Sequence, residues 1–178
     1  GCPLRCTYCD TEYAFYGGGW RSFENILAEV AQYGARHVCV TGGEPLAQRS
    51  CASLLEQLCD AGYEVSLETS GALDMAGVDQ RVVKVMDLKT PGSGEQARNL
   101  YANLDCLLPH DQGTVGAFND KVEFATGFTS DRNSLISAVT SRVGRRQLSD
   151  ENAYRVRTPL PWSGAASTIL RTTLAPIR

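Results

Sequence analysis

Apolar residues at Phe23, Ile26, Leu27, Val30 and Ala31 recur at the spacing of one buried helix face. Ser22 stands before them as an N-cap, with Asn25 three residues on as a weak substitute for the Glu of a capping box, and Gly34 ends the run after Tyr33. Arg36-His37-Val38-Cys39-Val40 then has the continuous apolar character of a short buried strand. The alternation repeats. Residues 50–61 place Cys51, Leu54, Leu55, Leu58 and Cys59 on one helical face ahead of Gly62, Tyr63-Glu64-Val65-Ser66-Leu67 reads as a strand, and Val82–Leu88 reads as another.

Helix, strand, helix, strand, linker, strand is the order of βαβ units, so the fold class predicted is α/β with a parallel sheet. Ligands of such sheets gather beyond the carboxyl ends of the strands. Thr41-Gly42-Gly43-Glu44, Thr69-Ser70-Gly71 and Lys89 each follow a predicted strand, which suits a partial (β/α) barrel with its functional loops around one mouth. Farther on the signal weakens. Residues 96–103 look helical, 109–116 loop-like and 119–124 strand-like, whereas 141–178 is rich in Arg, Ser, Thr and Pro, with Pro159, Pro161 and Pro176 interrupting it. The expected division is a core over 1–130 and a divergent, poorly ordered tail over 131–178, with an altered reading frame as one origin for it.

The 178 residues, 43% hydrophobic and 21% charged, describe an ordinary globular chain, large enough for a sizeable core. A net charge of −3 gives no electrostatic reason to expect nucleic-acid or membrane binding. No apolar run nears the roughly 20 residues that span a bilayer, and no basic and apolar leader pattern opens the chain. Cytoplasm is the expected location, and seven cysteines, an odd number, fit a reducing compartment better than a disulfide framework.

Three of those cysteines form Cys2-Pro-Leu-Arg-Cys6-Thr-Tyr-Cys9, a C-x3-C-x2-C loop without a fourth ligand beside it. A structural zinc site is closed by four protein ligands, and neither His37 nor His110 stands at such spacing. A [4Fe–4S] cube held by three thiolates leaves one iron open to a ligand that is not protein. The other four cysteines are scattered among apolar residues, as small buried hydrophobes are.

The loop continues as Cys9-Asp10-Thr11, and Gly42-Gly43-Glu44-Pro45, Leu67-Glu68-Thr69-Ser70-Gly71 and Asp87-Leu88-Lys89-Thr90-Pro91-Gly92 follow in order. As an ordered set over residues 1–105 these resemble the radical S-adenosylmethionine (SAM) superfamily, and within it the 7-carboxy-7-deazaguanine synthases of the queuosine pathway. The resemblance implies that Cys2, Cys6 and Cys9 hold a [4Fe–4S] cluster. It further implies SAM contacts from Tyr8, Cys9, Asp10, Gly43, Glu44, Gly71 and Lys89, substrate contact from Thr69, and a Mg²⁺ ligand in Thr11. Loop packing explains Tyr8 about as well, and a surface role is the simpler reading of Lys89. Glu68 reads as a buried strand-end carboxylate without a role.

By the same resemblance the reaction is conversion of 6-carboxy-5,6,7,8-tetrahydropterin to 7-carboxy-7-deazaguanine with loss of ammonia. The partners expected are that pterin, an electron donor such as flavodoxin and a second copy of the chain in a homodimer, with neither nucleic acid nor membrane. In the resembled family an N-terminal strand and a glycine-containing substrate loop precede the first cysteine, so Gly1 before Cys2 reads as the start of an N-terminally incomplete chain. Three alternatives stay open: another radical SAM enzyme such as a glycyl-radical activating enzyme, a non-catalytic metal-binding module, and an inactive fragment.

Overall fold

The computed structural model describes residues 1–9, 11–89, 93–111, 131–134 and 136–137, together with the backbone of 115–118, 122–124, 153–156 and 168–170. Helix α1 (Phe23–Gln32) starts where the cap predicts, with the Asn25 amide donating to Ser22 Oγ at 3.3 Å. Helix α2 covers Cys51–Asp60. Gly34 (φ +59°) and Gly62 (φ +87°) lie just past the two helices in the left-handed region that a side chain would resist, which is why the chain turns there.

Strands β1 (His37–Val40), β2 (Glu64–Thr69) and β3 (Val83–Met86) are parallel neighbours in the order β3-β2-β1. The register pairs Val40 with Leu67 and Thr69 with Met86, so all three strands end at the same edge. This is the predicted α/β architecture, part of a (β/α) barrel. Val38, Val40, Val65, Leu67 and Met86 are buried in one cluster with Ile26 and Val30 of α1 and Leu54, Leu55 and Leu58 of α2. Side-chain alternation along each strand sets that face against the helices and leaves Cys39, Glu68 and Val85 on the other. Each large aliphatic buried there contributes about 1.5–3 kcal/mol, enough in sum to fix the strand ends in place.

Among the described residues β3 is an edge strand. Its Lys84 amide donates to Asp111 Oδ1 at 2.8 Å, and Lys84 Nζ lies 3.1 Å from Asp111 Oδ2, both side chains being buried. The Leu108 amide donates to the same carboxylate.

Four strands lie farther along: β4 (Val115–Phe118), β5 (Val122–Phe124), β6 (Ala153–Val156) and β7 (Thr168–Leu170). Strands β4, β5 and β6 form an antiparallel sheet, and β7 pairs parallel with β1. The strand expected near 119–124 is therefore present as β5, while β4 begins inside the stretch expected to be loop. The expected boundary at 130 and most of the tail lie outside the described residues.

Two 3-10 turns, Gln96–Arg98 and Tyr101–Cys106, replace the helix expected over 96–103. Asn99 exchanges hydrogen bonds with the Lys89 backbone, accepting at 2.9 Å and donating at 2.7 Å. Buried Asn103 accepts from the Met75 amide and donates to the Gly71 and Leu73 carbonyls. Such side-chain bonds to distant backbone pull the segment out of a regular helix.

Candidate functional site

Cys2, Cys6 and Cys9 are free, partly buried thiols in a loop held at several points. Leu4 between them is buried. The Cys9 amide donates to the Cys6 carbonyl at 3.1 Å, closing a turn around Tyr8, and the Thr7 amide donates to the Ser93 carbonyl at 3.0 Å. Burial pushes the Cys2 and Cys6 thiols up; the Leu4 amide opposes this at Cys2 and the Lys89 ammonium opposes it at Cys6. The three sulfurs also act on one another electrostatically, so they share one neighbourhood.

Among the described residues no three His, Cys, Asp or Glu side chains converge to hold a single ion. A cubane bonds each thiolate to a different iron, so three unpaired thiols spread over one short loop suit it.

Glycine-rich strand exits bring the rest of the site to this loop. Gly43 (φ +58°) passes so close to the chain before Cys2 that a Cβ there would sit 3.0 Å from the Gly1 carbonyl oxygen and 3.4 Å from Cys2 Cβ. The Glu44 amide and the Gln48 side chain both donate to that carbonyl. Gly71 (φ +69°) is as crowded, with Met86 Sδ 2.7 Å from where its Cβ would be.

Glu44 and Thr69, expected at SAM and substrate, are buried and bonded to each other. Glu44 Oε1 accepts from Thr69 Oγ1 at 2.9 Å and the Leu46 amide at 3.1 Å, while Oε2 accepts from the Ser70 amide at 2.7 Å and Ser70 Oγ at 2.5 Å. Thr69 Oγ1 also accepts from the Gly71 amide. A carboxylate with four donors is satisfied where it stands, so in this structure Glu44 ties the exit of β1 to the exit of β2. The Gly71 carbonyl likewise accepts from Leu100 and Asn103.

Lys89 is not the surface lysine that its position in a loop suggests. Its side chain is 12% exposed and Nζ donates to Asp87 Oδ2 at 2.6 Å, while Asp87 Oδ1 is buried with no hydrogen-bond partner among the described residues. Burial works to lower the ammonium, but Asp87, with Cys6 and Tyr8 adding, outweighs it and holds Lys89 above its ordinary range. Burial raises the Tyr8 phenol, opposed by Lys89 and by a hydrogen bond with the Ser93 side chain. Cys6, Tyr8, Asp87 and Lys89 are thus within electrostatic reach of one another. Thr11 Oγ1 lies 3.7 Å from Cys9 Sγ, beside the cysteine loop.

Glu68 departs from expectation: it is exposed, on the sheet face away from the helices, and accepts from Thr41 Oγ1 at 2.9 Å. Asp10 lies outside the described residues. Sequence reasoning missed Ser70, Asn99, Asn103 and Ser93 as organisers. Only Asp87 carried a legible signal, since two-residue spacing puts it on the same side of an extended chain as Lys89.

The class of protein follows from comparison, since residues 1–88 match the Radical SAM superfamily. The chain is 41% identical over 152 residues to the 7-carboxy-7-deazaguanine synthase of Koribacter versatilis, covering 82% of this chain and 67% of that protein. It is 43% identical over 108 residues to the synthase of Chlorobaculum tepidum, covering 61% of this chain and 49% of that one. The chain belongs to the 7-carboxy-7-deazaguanine synthase family. It spans from about half to two thirds of these relatives' length, 67% and 49% for the two named. The crystal structure of QueE from Escherichia coli is also similar, at TM-score 0.42 and 26% identity over 48% of this chain and 47% of that one. A similarity covering 82% of the chain necessarily extends past residue 105, where recognisable motifs stop.

Among the described residues no helix is long and apolar enough to cross a membrane.

Proposed function

We propose that the chain carries the catalytic core for converting 6-carboxy-5,6,7,8-tetrahydropterin to 7-carboxy-7-deazaguanine with loss of ammonia. The observation that carries this reading is the gathering of three free thiols, the Asp87–Lys89 pair and the exits of three parallel strands at one end of the sheet. Cys2, Cys6 and Cys9 would hold a [4Fe–4S] cluster, which together with SAM would supply a carbon radical able to take hydrogen from the substrate.

The protein's own work is binding, orientation and exclusion of water. Among the described residues Lys89 Nζ donates to Asp87, and the two further N–H donors of an ammonium suit an anionic group such as the SAM carboxylate. Tyr8, placed beside Cys6 and Lys89, offers a flat face for an adenine. Gly43 and Gly71 allow close backbone approach, and Glu44 with Thr69 positions the loops that carry them. Thr11 supplies one oxygen for Mg²⁺, which commonly takes its remaining ligands from substrate and water. An electron donor such as flavodoxin, a homodimeric assembly, a cytoplasmic setting and a place upstream of tRNA modification without tRNA binding complete the proposal.

The test is anaerobic reconstitution followed by incubation with SAM, a reductant, Mg²⁺ and the carboxytetrahydropterin. The deazapurine should appear by mass, with Cys6→Ala as a control that takes up less iron. Four irons bound with no such product would count against the substrate, and a single zinc per chain would overturn the whole reading.

A further inference from the structure

We propose that Arg5 is a positioning residue for the cluster, shaping the loop between its first two thiolates and adding a fixed positive charge beside it; the proposal rests on the functional reading above. Arg5 lies between Cys2 and Cys6. Its Nη1 donates to the carbonyls of Cys2 and Leu4, each at 2.7 Å, and Nη2 donates to the Tyr16 hydroxyl at 3.3 Å. The guanidinium lies over the Phe15 ring at 4.1 Å from its centroid and 5.4 Å from that of Tyr16. The Arg5 amide donates to Glu95 Oε1 at 2.9 Å, tying the same residue to the segment that follows Lys89.

A solvent-facing arginine ordinarily pairs with a carboxylate or extends into water. Among the described residues the Arg5 guanidinium pairs with no carboxylate; it is turned back onto its own loop and stacked on an aromatic. Two carbonyls drawn onto one cation make the chain curl between the ligands, with buried Leu4 as the pivot. Carbonyl dipoles aimed at an anionic cluster would be repelled by it, and the guanidinium holds these two elsewhere. A planar fork can serve two acceptors at once and an ammonium, a point charge, does so poorly, so Lys is not an equivalent replacement. The charge itself is permanent. One-electron reduction makes the cluster one unit more negative, so a cation on the same loop favours the reduced state, and both the Glu95 carboxylate on the Arg5 amide and solvent screening limit the size of that effect.

Shape and charge are separable by substitution. Wild type, Arg5→Lys, Arg5→Gln and Phe15→Leu are reconstituted anaerobically. Two quantities are read: the rate of iron loss to a chelator, and the reduced fraction by electron paramagnetic resonance at a fixed titanium citrate poise. Arg5→Gln should lose iron several-fold faster and show an about threefold lower reduced-to-oxidised ratio, about 30 mV where tenfold is 59 mV for one electron. Arg5→Lys should lose iron faster with its reduced ratio kept. Phe15→Leu, which leaves the charge in place, should behave as Arg5→Lys does and keeps the proposal testable if Arg5→Gln does not hold a cluster. Wild type with four irons and variants matching it in both readouts would overturn the role of Arg5 alone, as would equal loss of reduced fraction in all three variants. A wild type that takes up no cluster would overturn the functional reading instead.

Discussion

Thr69→Val removes one hydroxyl from the buried junction of the β1 and β2 exits while keeping the shape of the side chain. Glu44 loses the 2.9 Å bond to its Oε1, and the Gly71 amide loses its acceptor. A hydrogen bond to a charged group contributes about 1.5–3 kcal/mol, and stranding a buried donor adds to that. Glu44 keeps its bonds to the Leu46 and Ser70 amides and to the Ser70 hydroxyl, so it is not left bare. The expected loss is about 2–4 kcal/mol, or on the order of 5–15 °C in Tm for a chain of this size. Urea unfolding of the cluster-free protein under reducing conditions reads it without reference to catalysis. In a double-mutant cycle, Thr69→Val and Glu44→Gln should couple by about 1 kcal/mol or more. A Val variant within about 0.5 kcal/mol of wild type, the span of an ordinary surface substitution, would show that the two strand exits are not joined through this carboxylate.

Three further outcomes are expected. The buried Cys51 thiol is pushed up to about 12 from an ordinary 9.0, chiefly by burial with the Glu44 charge adding, so the folded state holds its proton longer than the unfolded chain does. Stability should therefore fall as pH rises above 9.0, by up to about 1.4 kcal/mol per unit from this group, and Cys51→Ala should flatten that slope in urea titrations at pH 8 to 11. Asp111→Ala should cost about 3–5 kcal/mol because it strands buried Lys84. Lys84→Met should cost less, since Asp111 retains the Lys84 and Leu108 amides as donors; equal costs by urea unfolding would contradict this. Gly71→Ala combines a positive φ with a contact 2.7 Å from Met86 Sδ, so a loss of at least about 1–2 kcal/mol is expected in thermal unfolding.

What was legible in the chain was whatever short-range chemistry encodes. Ser22, Gly34 and Gly62 mark helix ends through local backbone needs, and the spacing of Ile26 and Val30 or of Leu54, Leu55 and Leu58 reports a helix face. The cysteine loop and the order of strand exits are likewise sequence-local. The partnerships that tie distant segments together were not legible. Glu44 reaches Thr69 and Ser70 across a βαβ crossover, and Asn103 reaches back to Gly71, Leu73 and Met75, pairings set by tertiary packing and invisible to periodicity. The same packing reversed two expectations about charge: Lys89 is held inward by Asp87, and Glu68, at the end of an apolar strand, faces solvent.

The carboxylate of Asp111 on the outward amide of Lys84 has a bearing on how the protein behaves in crowded solution. An open strand margin is a template for recruiting another chain, edge to edge, into a growing ribbon. On β3, an edge strand among the described residues, one of the amides that would start such growth is already taken by a side chain, and a buried ammonium anchors that plug in place. Protein lacking the plug should shed material as insoluble sheet-rich aggregate while its folded fraction still looks native.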